Sequence, residues 1–277
     1  FKAKSSGRES YAFYSQELTA HARRHVELAS ALRHALDHQE LRVYYQPLIC
    51  LRSQELIGVE ALVRWQHPQR GLVAPGEFIP IAEETGLIGA IDAWVLEQSC
   101  RQMVAWQVAG YKLKFVAVNV SSRLFSRGEL DRRVAEVLHT SGLAPAHLEL
   151  EVTESAIMDN PEAALDLLER LRALGVRLAI DDFGTGYSSL ARLKRLPVHK
   201  LKLDQSFVRG LPHDQDDVAI TRAVIALGHS MGLKVLAEGI EQAEQVELLQ
   251  ALGCDHAQGY HFGRPQPAAA LFMLSTA

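Results

Sequence analysis

The stretch Leu148–Asp182, LELEVTESAIMDNPEAALDLLERLRALGVRLAIDD, contains one complete strand–helix–strand unit. Leu148–Val152 and Arg177–Asp181 are short apolar runs that are typical of buried strands. Between them, Asn160-Pro161-Glu162 offers a helix cap, a proline at the first helical position and an early acid. Gly175 marks the end of that helix. The stretch therefore predicts two neighbouring parallel strands joined by a helix that packs outside them.

The same alternation extends over most of the chain, where helical patterns such as Asp217–Met231 separate strand-like runs. The eight predicted strands lie near Leu41–Gln46, Leu56–Arg64, Lys114–Val120, Leu148–Val152, Arg177–Asp181, Lys200–Leu203, Lys234–Glu238 and His256–Gly259. This pattern predicts an α/β fold that closes into a barrel. The join Pro47–Glu55 is too short for a crossover helix, so we expect the first strand to be antiparallel to the second.

The composition is that of an ordinary globular protein, with 277 residues of which 48% are hydrophobic and 22% charged. The net charge of -4 argues against binding to a nucleic-acid polymer. No apolar run is long enough to span a bilayer. The cysteines Cys50, Cys100 and Cys254 form no CxxC pair, so we expect reduced thiols and a cytoplasmic domain.

Polar side chains stand at the ends of the predicted strands, after apolar runs. They are Glu60, Asn119, Glu151, Asp181, Asp182, Lys202, Glu238 and Gln258. A single charged residue in a strand is usually on the surface, but parallel barrel strands are covered on both faces. The carboxyl ends of such strands meet at one mouth, where active sites lie. The acids there would repel one another unless cations neutralise them, so the pattern predicts a metal site.

Carboxylate and amide oxygens favour hard cations such as Mg²⁺ or Mn²⁺ over zinc or copper. The adjacent acids Asp181 and Asp182 would let one carboxylate bridge two ions, which indicates phosphoryl chemistry. Lys202 would orient or deprotonate a water molecule, or else form a structural ion pair. Arg64 would reach a phosphate, or else lie on the surface. The glycine-rich loop Asp182–Ser189 leaves a strand end and would be a mobile or phosphate-facing loop.

Glu60-Ala61-Leu62 followed by Val63-Arg64-Trp65 resembles the signature of EAL domains, bacterial signalling phosphodiesterases that cleave cyclic di-GMP. The tripeptide alone recurs by chance, and the specificity comes from the motifs that accompany it in order. These are Tyr45-Gln46-Pro47, Asn119-Val120-Ser121, Glu151-Val152-Thr153-Glu154, Asp181–Gly186, Lys202-Leu203-Asp204, Ala237–Glu241, Gln258-Gly259-Tyr260 and Arg264-Pro265. The resemblance covers roughly residues Leu36–Thr276.

The resemblance implies a modified (βα)₈ barrel, similar to a TIM barrel, with an antiparallel first strand. It implies metal-dependent hydrolysis of one phosphodiester bond of cyclic di-GMP to linear pGpG. The implied cofactors are two Mg²⁺ or Mn²⁺ ions, with Ca²⁺ expected to inhibit. No catalytic position departs from the family pattern.

The resemblance also implies a role for each matched residue. The metal ligands would be Glu60, Asn119, Glu151, Asp181 and Asp182, with Glu238 supporting the second metal through water or acting as general base. Lys202 would position the attacking water. The substrate site would be lined by Gln46, Leu62, Arg64, Glu241 and Gln258. Glu154 would anchor the Asp182–Ser189 loop, which in the family lies beside a homodimer interface.

The first residues show a second resemblance. Ala3–Arg8 and Tyr11–Tyr14 resemble the last strands of a GGDEF (diguanylate cyclase) domain. We therefore expect residues 1–14 to be a remnant of an upstream GGDEF domain, residues 15–38 a connector helix and residues 39–277 the EAL barrel. Any sensory or membrane segment would lie upstream, and we expect no membrane contact by this chain.

Two alternatives to the enzyme remain. A receptor domain would bind cyclic di-GMP without turnover, although the intact catalytic positions argue against it. An unrelated barrel enzyme with a carboxylate metal site, such as an enolase-type lyase, is disfavoured by the ordered motifs.

Overall fold

A computed structural model describes residues 16–126, 128–185 and 190–272. The proposed GGDEF remnant, residues 1–14, lies outside these ranges. The chain forms two compact units. The first contains the described residues through Leu41 together with Trp65–Leu87, and the second contains Arg42–Arg64 and the described residues from Ile88 onward.

The helices and strands alternate along the chain. The helices are α1 (Gln16–Ala35), α2 (Pro75–Thr85), α3 (Ile88–Val108), α4 (Ser122–Ser126), α5 (Leu130–Ser141), α6 (Glu154–Asp159), α7 (Pro161–Ala173), α8 (Leu190–Leu193), α9 (Gln205–Val208), α10 (Gln215–Ser230) and α11 (Ala243–Ala251). The strands are β1 (Leu41–Cys50), β2 (Leu56–His67), β3 (Gly71–Val73), β4 (Phe115–Val120), β5 (Leu148–Thr153), β6 (Arg177–Phe183), β7 (Lys200–Leu203), β8 (Lys234–Ala237), β9 (His256–Ala257) and β10 (Gln266–Pro267).

Strands β1, β2, β4, β5, β6, β7, β8 and β9 pair in that order around a ring, which the pairing of β1 with β2 and β9 closes. Neighbouring strands from β2 to β9 are parallel. Strand β1 runs antiparallel to β9, and therefore to the other seven strands of the ring. The prediction of a (βα)₈-type barrel with an antiparallel first strand is confirmed.

The eight predicted strands all form, and their bounds shift by a few residues. Helix α10 begins at Gln215 rather than Asp217, because the side chain of Asp214 accepts hydrogen bonds from the backbone of Asp216 and Asp217. Strands β3 and β10 were not expected from the sequence. Each has only two or three residues, which is too short to produce a recognisable alternation.

Helix α7 illustrates how local sequence sets an element. The side chain of Asn160 accepts a hydrogen bond from the backbone of Ala163, and Pro161 occupies the first turn. Gly175 follows with a φ of +91°, a left-handed conformation that favours glycine. The helix then turns back into β6, as predicted.

The first unit has its own packing. The indole nitrogen of Trp65 donates a hydrogen bond of 2.8 Å to Glu40, and its ring packs edge-on against Phe78 of α2. Strand β3 pairs antiparallel with the end of β2. Among the described residues, no helix has the length and apolar character of a membrane-spanning segment.

Candidate active site

Strand direction brings the predicted polar residues to one mouth of the barrel. Glu60 lies on β2, Asn119 on β4, Glu151 on β5 and Asp181 on β6, and these strands are parallel neighbours. Their carboxyl ends therefore open on the same side. Asn119 and Glu151 are directly paired in the sheet register. The expected convergence of strand ends is thus present.

Lys202 lies at the centre of this ring and is 1% exposed. Its Nζ lies 2.6 Å from Glu151, 2.8 Å from Glu238, 3.0 Å from Asp181 and 3.8 Å from Glu60. Burial lowers the pKa of Lys202, but the surrounding carboxylates outweigh this and hold the pKa well above its ordinary value. The amine therefore stays protonated.

One lysine does not balance this many acids. Burial raises the pKa of Glu238 to about 8, against the attraction of Lys202. Burial likewise raises the pKa of Glu151 well above its ordinary value, and the charges of Glu60 and Asp181 raise it further. Four carboxylates surround the single ammonium group of Lys202, so in their ionised form they carry more negative charge than it can neutralise. An added cation would relieve the repulsion.

Glu60 is held by amide side chains. The Nδ2 of Asn119 donates to Glu60 Oε1 at 2.6 Å, and Gln258 donates to Glu60 Oε2. Gln258 also donates to Gln46 at 3.1 Å. Burial would raise the pKa of Glu60, but Lys202 and these hydrogen bonds bring it below its ordinary value. Glu60 is therefore a preoriented carboxylate.

Asp181 and Asp182 reach the same site although neighbouring strand residues normally point to opposite faces. The register of β6 against β7 shifts between Ile180 and Phe183, and Asp182 has a φ of +54°. This conformation is uncommon for a residue other than glycine and tends to occur at functional sites. As a result, carboxylate oxygens of Asp181, Asp182 and Glu238 lie within 4.8 Å of one another.

The residues present fit a divalent metal site. The donors are carboxylate oxygens, which Mg²⁺ and Mn²⁺ prefer. Besides the three-carboxylate cluster, Glu151 Oε1 is buried and has no hydrogen-bond partner. A buried, unpaired carboxylate oxygen is costly unless a cation or a donor satisfies it. The cluster and this oxygen are consistent with the predicted oxygen-ligated metal.

A cavity of about 460 Å³ opens above this ring. Most of the residues predicted for metal binding, catalysis or substrate binding line this cavity. They are Gln46, Glu60, Leu62, Asn119, Asp181, Lys202, Glu238, Glu241 and Gln258. Glu151 is buried against Lys202, and Asp182 belongs to the carboxylate cluster with Asp181 and Glu238.

Arg64 is not one of the described residues that line this cavity. Its Nη1 donates to the carbonyl oxygen of Val63 at 2.8 Å. Burial lowers its pKa, whereas the charges of Tyr260, Glu60 and Tyr44 raise it. Arg64 therefore interacts electrostatically with the site, although its side chain does not line the cavity.

Glu154 lies where the sequence predicts a loop anchor. Its side chain is 2% exposed, and its Oε2 accepts a hydrogen bond of 3.0 Å from the backbone of Gly184. Thr153, the residue before it, caps α6 by accepting from Ala156. The contact ties the end of β5 to the beginning of the loop that follows β6. Residues 186–189 of that loop lie outside the described ranges.

The sequence reasoning missed a second charged layer below the ring. Glu149 and Lys200, both 0% exposed, form an ion pair, and Arg177 also contacts Glu149 at 3.1 Å. Glu149 and Glu151 are two apart on β5, as Lys200 and Lys202 are on β7, and such residues share a face of a strand. This spacing was the signal that would have revealed the layer. The cavity-lining residues Gln205, Gly239, Gly259 and Tyr260 were also missed.

The sequence profile of the EAL domain matches residues 29–265 of the chain. The chain belongs to the EAL domain family. The resemblance drawn from the ordered motifs is thereby confirmed. The match covers the barrel strands β1 through β9.

Several relatives of this EAL domain have names that state an activity. It is 47% identical over 271 residues to the bifunctional diguanylate cyclase/cyclic di-GMP phosphodiesterase MucR of Pseudomonas aeruginosa. It is 45% identical over 270 residues to the cyclic di-GMP phosphodiesterase NbdA of the same species. In both comparisons 98% of the chain is matched, but it spans only 40% of MucR and 34% of NbdA.

Solved structures show the same fold. The phosphodiesterase part of MucR in complex with c-di-GMP superposes with a TM-score of 0.86 at 49% identity, covering 88% of this chain and 99% of that one. The EAL domain of FimX from Pseudomonas aeruginosa bound to c-di-GMP gives a TM-score of 0.78 at 28% identity, covering 86% and 96%.

Proposed function

We propose that this EAL domain hydrolyses one phosphodiester bond of cyclic di-GMP to linear pGpG and uses two divalent ions, Mg²⁺ or Mn²⁺. The observation that carries the proposal is the cluster of Asp181, Asp182 and Glu238 carboxylates beside the buried Lys202 at the floor of an open cavity. The names of MucR and NbdA, at 47% and 45% identity, supply the substrate.

In this proposal one metal would be held by Glu60, Asn119, Glu151 and Asp181. Asp181 would be shared with a second metal, which Asp182 also binds. The amide of Asn119 would have to rotate so that its oxygen, rather than the Nδ2 that now donates to Glu60, faces the ion. When bound, the two ions would polarise the phosphoryl group and make water more acidic. Ca²⁺, which is larger and accepts looser geometry, would inhibit.

Lys202 would position the attacking water by donating a hydrogen bond to it. Its raised pKa keeps the amine charged, so it would not act as the general base. Glu238, whose carboxylate lies 2.8 Å from Lys202, would accept the proton of that water or support the second metal through a water molecule. An arrangement of this kind aligns the nucleophile before reaction.

The nucleotide would lie in the cavity above the metals. Gln46, Leu62, Glu241 and Gln258 line that cavity and would contact the nucleotide. Arg64 would contribute positive charge from just outside the wall, where it is attracted to Glu60.

We also propose that the Glu154–Gly184 hydrogen bond holds the loop of residues 182–189 for function. That loop would lie beside a homodimer interface and couple dimerisation to activity. The domain would work in the cytoplasm, where guanine nucleotides are made, under control of upstream GGDEF or sensory domains.

The test is product analysis by ion-exchange chromatography after incubation with cyclic di-GMP and either Mg²⁺ or Mn²⁺. We expect pGpG to appear with metal and to be absent with EDTA. Glu60→Ala should abolish it, whereas Glu247→Ala, which removes an exposed carboxylate on α11, should leave it unchanged.

Intact cyclic di-GMP under every metal would refute the proposed activity. If the nucleotide still bound, the domain would be a receptor. The Lys202→Met variant provides a further check, because it should lose turnover while retaining most of its nucleotide binding.

A further inference from the structure

The loop between β8 and α11 carries residues of the catalytic cavity but belongs to no helix or strand. It includes Glu238 and Gly239 and then Glu241, whose exposed side chain also lines the cavity. A side chain that contacts a ligand binds it more tightly when its position is fixed before the ligand arrives. The contacts that hold the backbone of this loop therefore bear on substrate binding.

The first part of the loop is held by the barrel. The backbone nitrogen of Glu238 donates a hydrogen bond of 3.2 Å to Leu203 on β7, and that of Ile240 donates one of 3.1 Å to Gln258 after β9. The carboxylate of Glu238 is also held by Lys202 at 2.8 Å. The position of Glu238 is therefore set by the strands around it.

A buried amide holds the second part of the loop. Gln245 on α11 is 3% exposed, and its Oε1 accepts hydrogen bonds from the backbone nitrogens of Glu241 at 2.8 Å and Gln242 at 3.0 Å. Its Nε2 donates to the carbonyl oxygen of Val208, the last residue of α9, at 2.9 Å. One side chain thus joins the backbone of Glu241 to α9.

The loop also packs against the other end of α9. Gly239 has a φ of +70°, and a Cβ there would lie 2.5 Å from the Cβ of Gln205, the first residue of α9. Only glycine allows so close an approach. Loss of Gln245 would therefore release the end of the loop that carries Glu241, while the end that carries Glu238 stays in place.

Helix capping accounts for only one of the three bonds of Gln245. A capping box needs the bond from Gln242, the residue before α11, whereas the other two bonds tie Glu241 to α9. Gln245 is not one of the described residues that line the cavity, so it acts through its neighbours.

We propose that Gln245 is a positioning residue for substrate binding, which fixes the backbone of Glu241 so that its carboxylate meets the nucleotide. This inference rests on the proposed function, in which Glu241 contacts cyclic di-GMP.

The test is a double-mutant cycle on the KM for cyclic di-GMP, made in the full chain. Glu241→Ala should raise the KM by about 10-fold to 150-fold, the range for a lost hydrogen bond to a charged group. Gln245→Met, which keeps a similar volume, should raise the KM by at least about 5-fold and leave kcat within about twofold. In the Glu241→Ala background, Gln245→Met should change the KM by less than about twofold, because no carboxylate is left to position.

Thr221→Val is the matched control. Thr221 is 0% exposed, and its Oγ1 donates to the carbonyl oxygen of Phe207 in α9 at 3.3 Å. The control therefore loses a buried hydrogen bond to α9, which should lower the free energy of unfolding but keep the KM within about twofold. Gln245→Glu should keep the KM within about threefold, since a carboxylate still accepts from both backbone nitrogens at the start of α11.

The inference would be overturned if Gln245→Met and Glu241→Ala had additive effects on the KM. It would also be overturned if Gln245→Met raised the KM no more than Thr221→Val or Gln245→Glu does. If Gln245→Met does not fold, the same cycle with Gln245→Asn decides, because its shorter amide cannot reach both segments. If the unmodified protein makes no pGpG, the proposed function fails, and the same cycle on nucleotide affinity decides the role of Gln245 without turnover.

Discussion

Replacing Lys200 by methionine tests whether the lower charged layer stabilises the barrel. The pair Lys200–Glu149 is fully buried on both sides, and the Nζ of Lys200 also lies 4.3 Å from the centroid of the Phe115 ring. Methionine fills a similar volume but removes the charge. Glu149 would then depend on Arg177, whose side chain is 35% exposed and whose Nε lies 3.1 Å away.

Removing one partner of a buried ion pair typically costs about 3–5 kcal/mol, because the other charge remains buried. Since Arg177 still contacts Glu149, we expect the lower end, about 3 kcal/mol. The double variant Lys200→Met with Glu149→Leu leaves no buried carboxylate in the lower layer and should recover to within about 1 kcal/mol of the unmodified protein.

Urea unfolding followed by circular dichroism would measure these free energies. The matched control is Arg101→Met, which breaks an exposed pair with Glu97 and should cost less than about 0.5 kcal/mol. The reasoning would be refuted if Lys200→Met cost no more than this control. It would also be refuted if the two substitutions in the double variant simply added.

Two further predictions concern the same barrel. Burial lowers the pKa of His256 to about 4 in the folded protein, and the charge of Lys200 contributes to this shift. The folded state therefore resists protonation of His256. Its stability falls as the pH drops below about 6.5, the pKa of histidine in the unfolded chain. Lowering the pH from about 7.5 to about 5 should therefore reduce the free energy of unfolding by about 2 kcal/mol through this residue. Urea unfolding should not show this difference in His256→Asn. Gly259→Ala would place a Cβ 2.0 Å from the oxygen of Ile240, and overpacking should lower the free energy of unfolding by about 3 kcal/mol or more. The control Gly76→Ala, where no atom lies within 4 Å of the added Cβ, should melt close to the unmodified protein, and equal melting temperatures for the two alanine variants would contradict the packing argument.

The sequence by itself determined the barrel and the chemical class of its site. Alternating strands and helices are local signals, and caps such as Asn160 with Pro161 act within one turn of chain. The short connection after β1 gave the antiparallel first strand. Acids at the ends of strands indicated an oxygen-ligated metal, because parallel strands carry such residues to one mouth.

The roles of the individual site residues remain predictions, but the structure shows the surroundings in which each of them would act. Lys202 contacts three carboxylates outside its own strand, and they hold its pKa well above its ordinary value; they are Glu151 on β5, Asp181 on β6 and Glu238 after β8. Arg64 matches the family motif, yet it does not line the cavity among the described residues. Motif position gives the residue type, whereas the direction of a side chain depends on its packing.

Tertiary structure alone decided the features that depend on distant segments meeting. The left-handed backbone of Asp182 lies where the register of β6 against β7 shifts, and no local pattern encodes that shift. The guanidinium of Arg264 lies over the ring of Tyr260. This contact depends on how the turn after β9 packs against Ile240. The Glu149–Lys200 pair joins residues on strands that are not sheet neighbours. Periodicity fixes which face of a strand a residue occupies, but only closure of the barrel decides which side chains meet inside it.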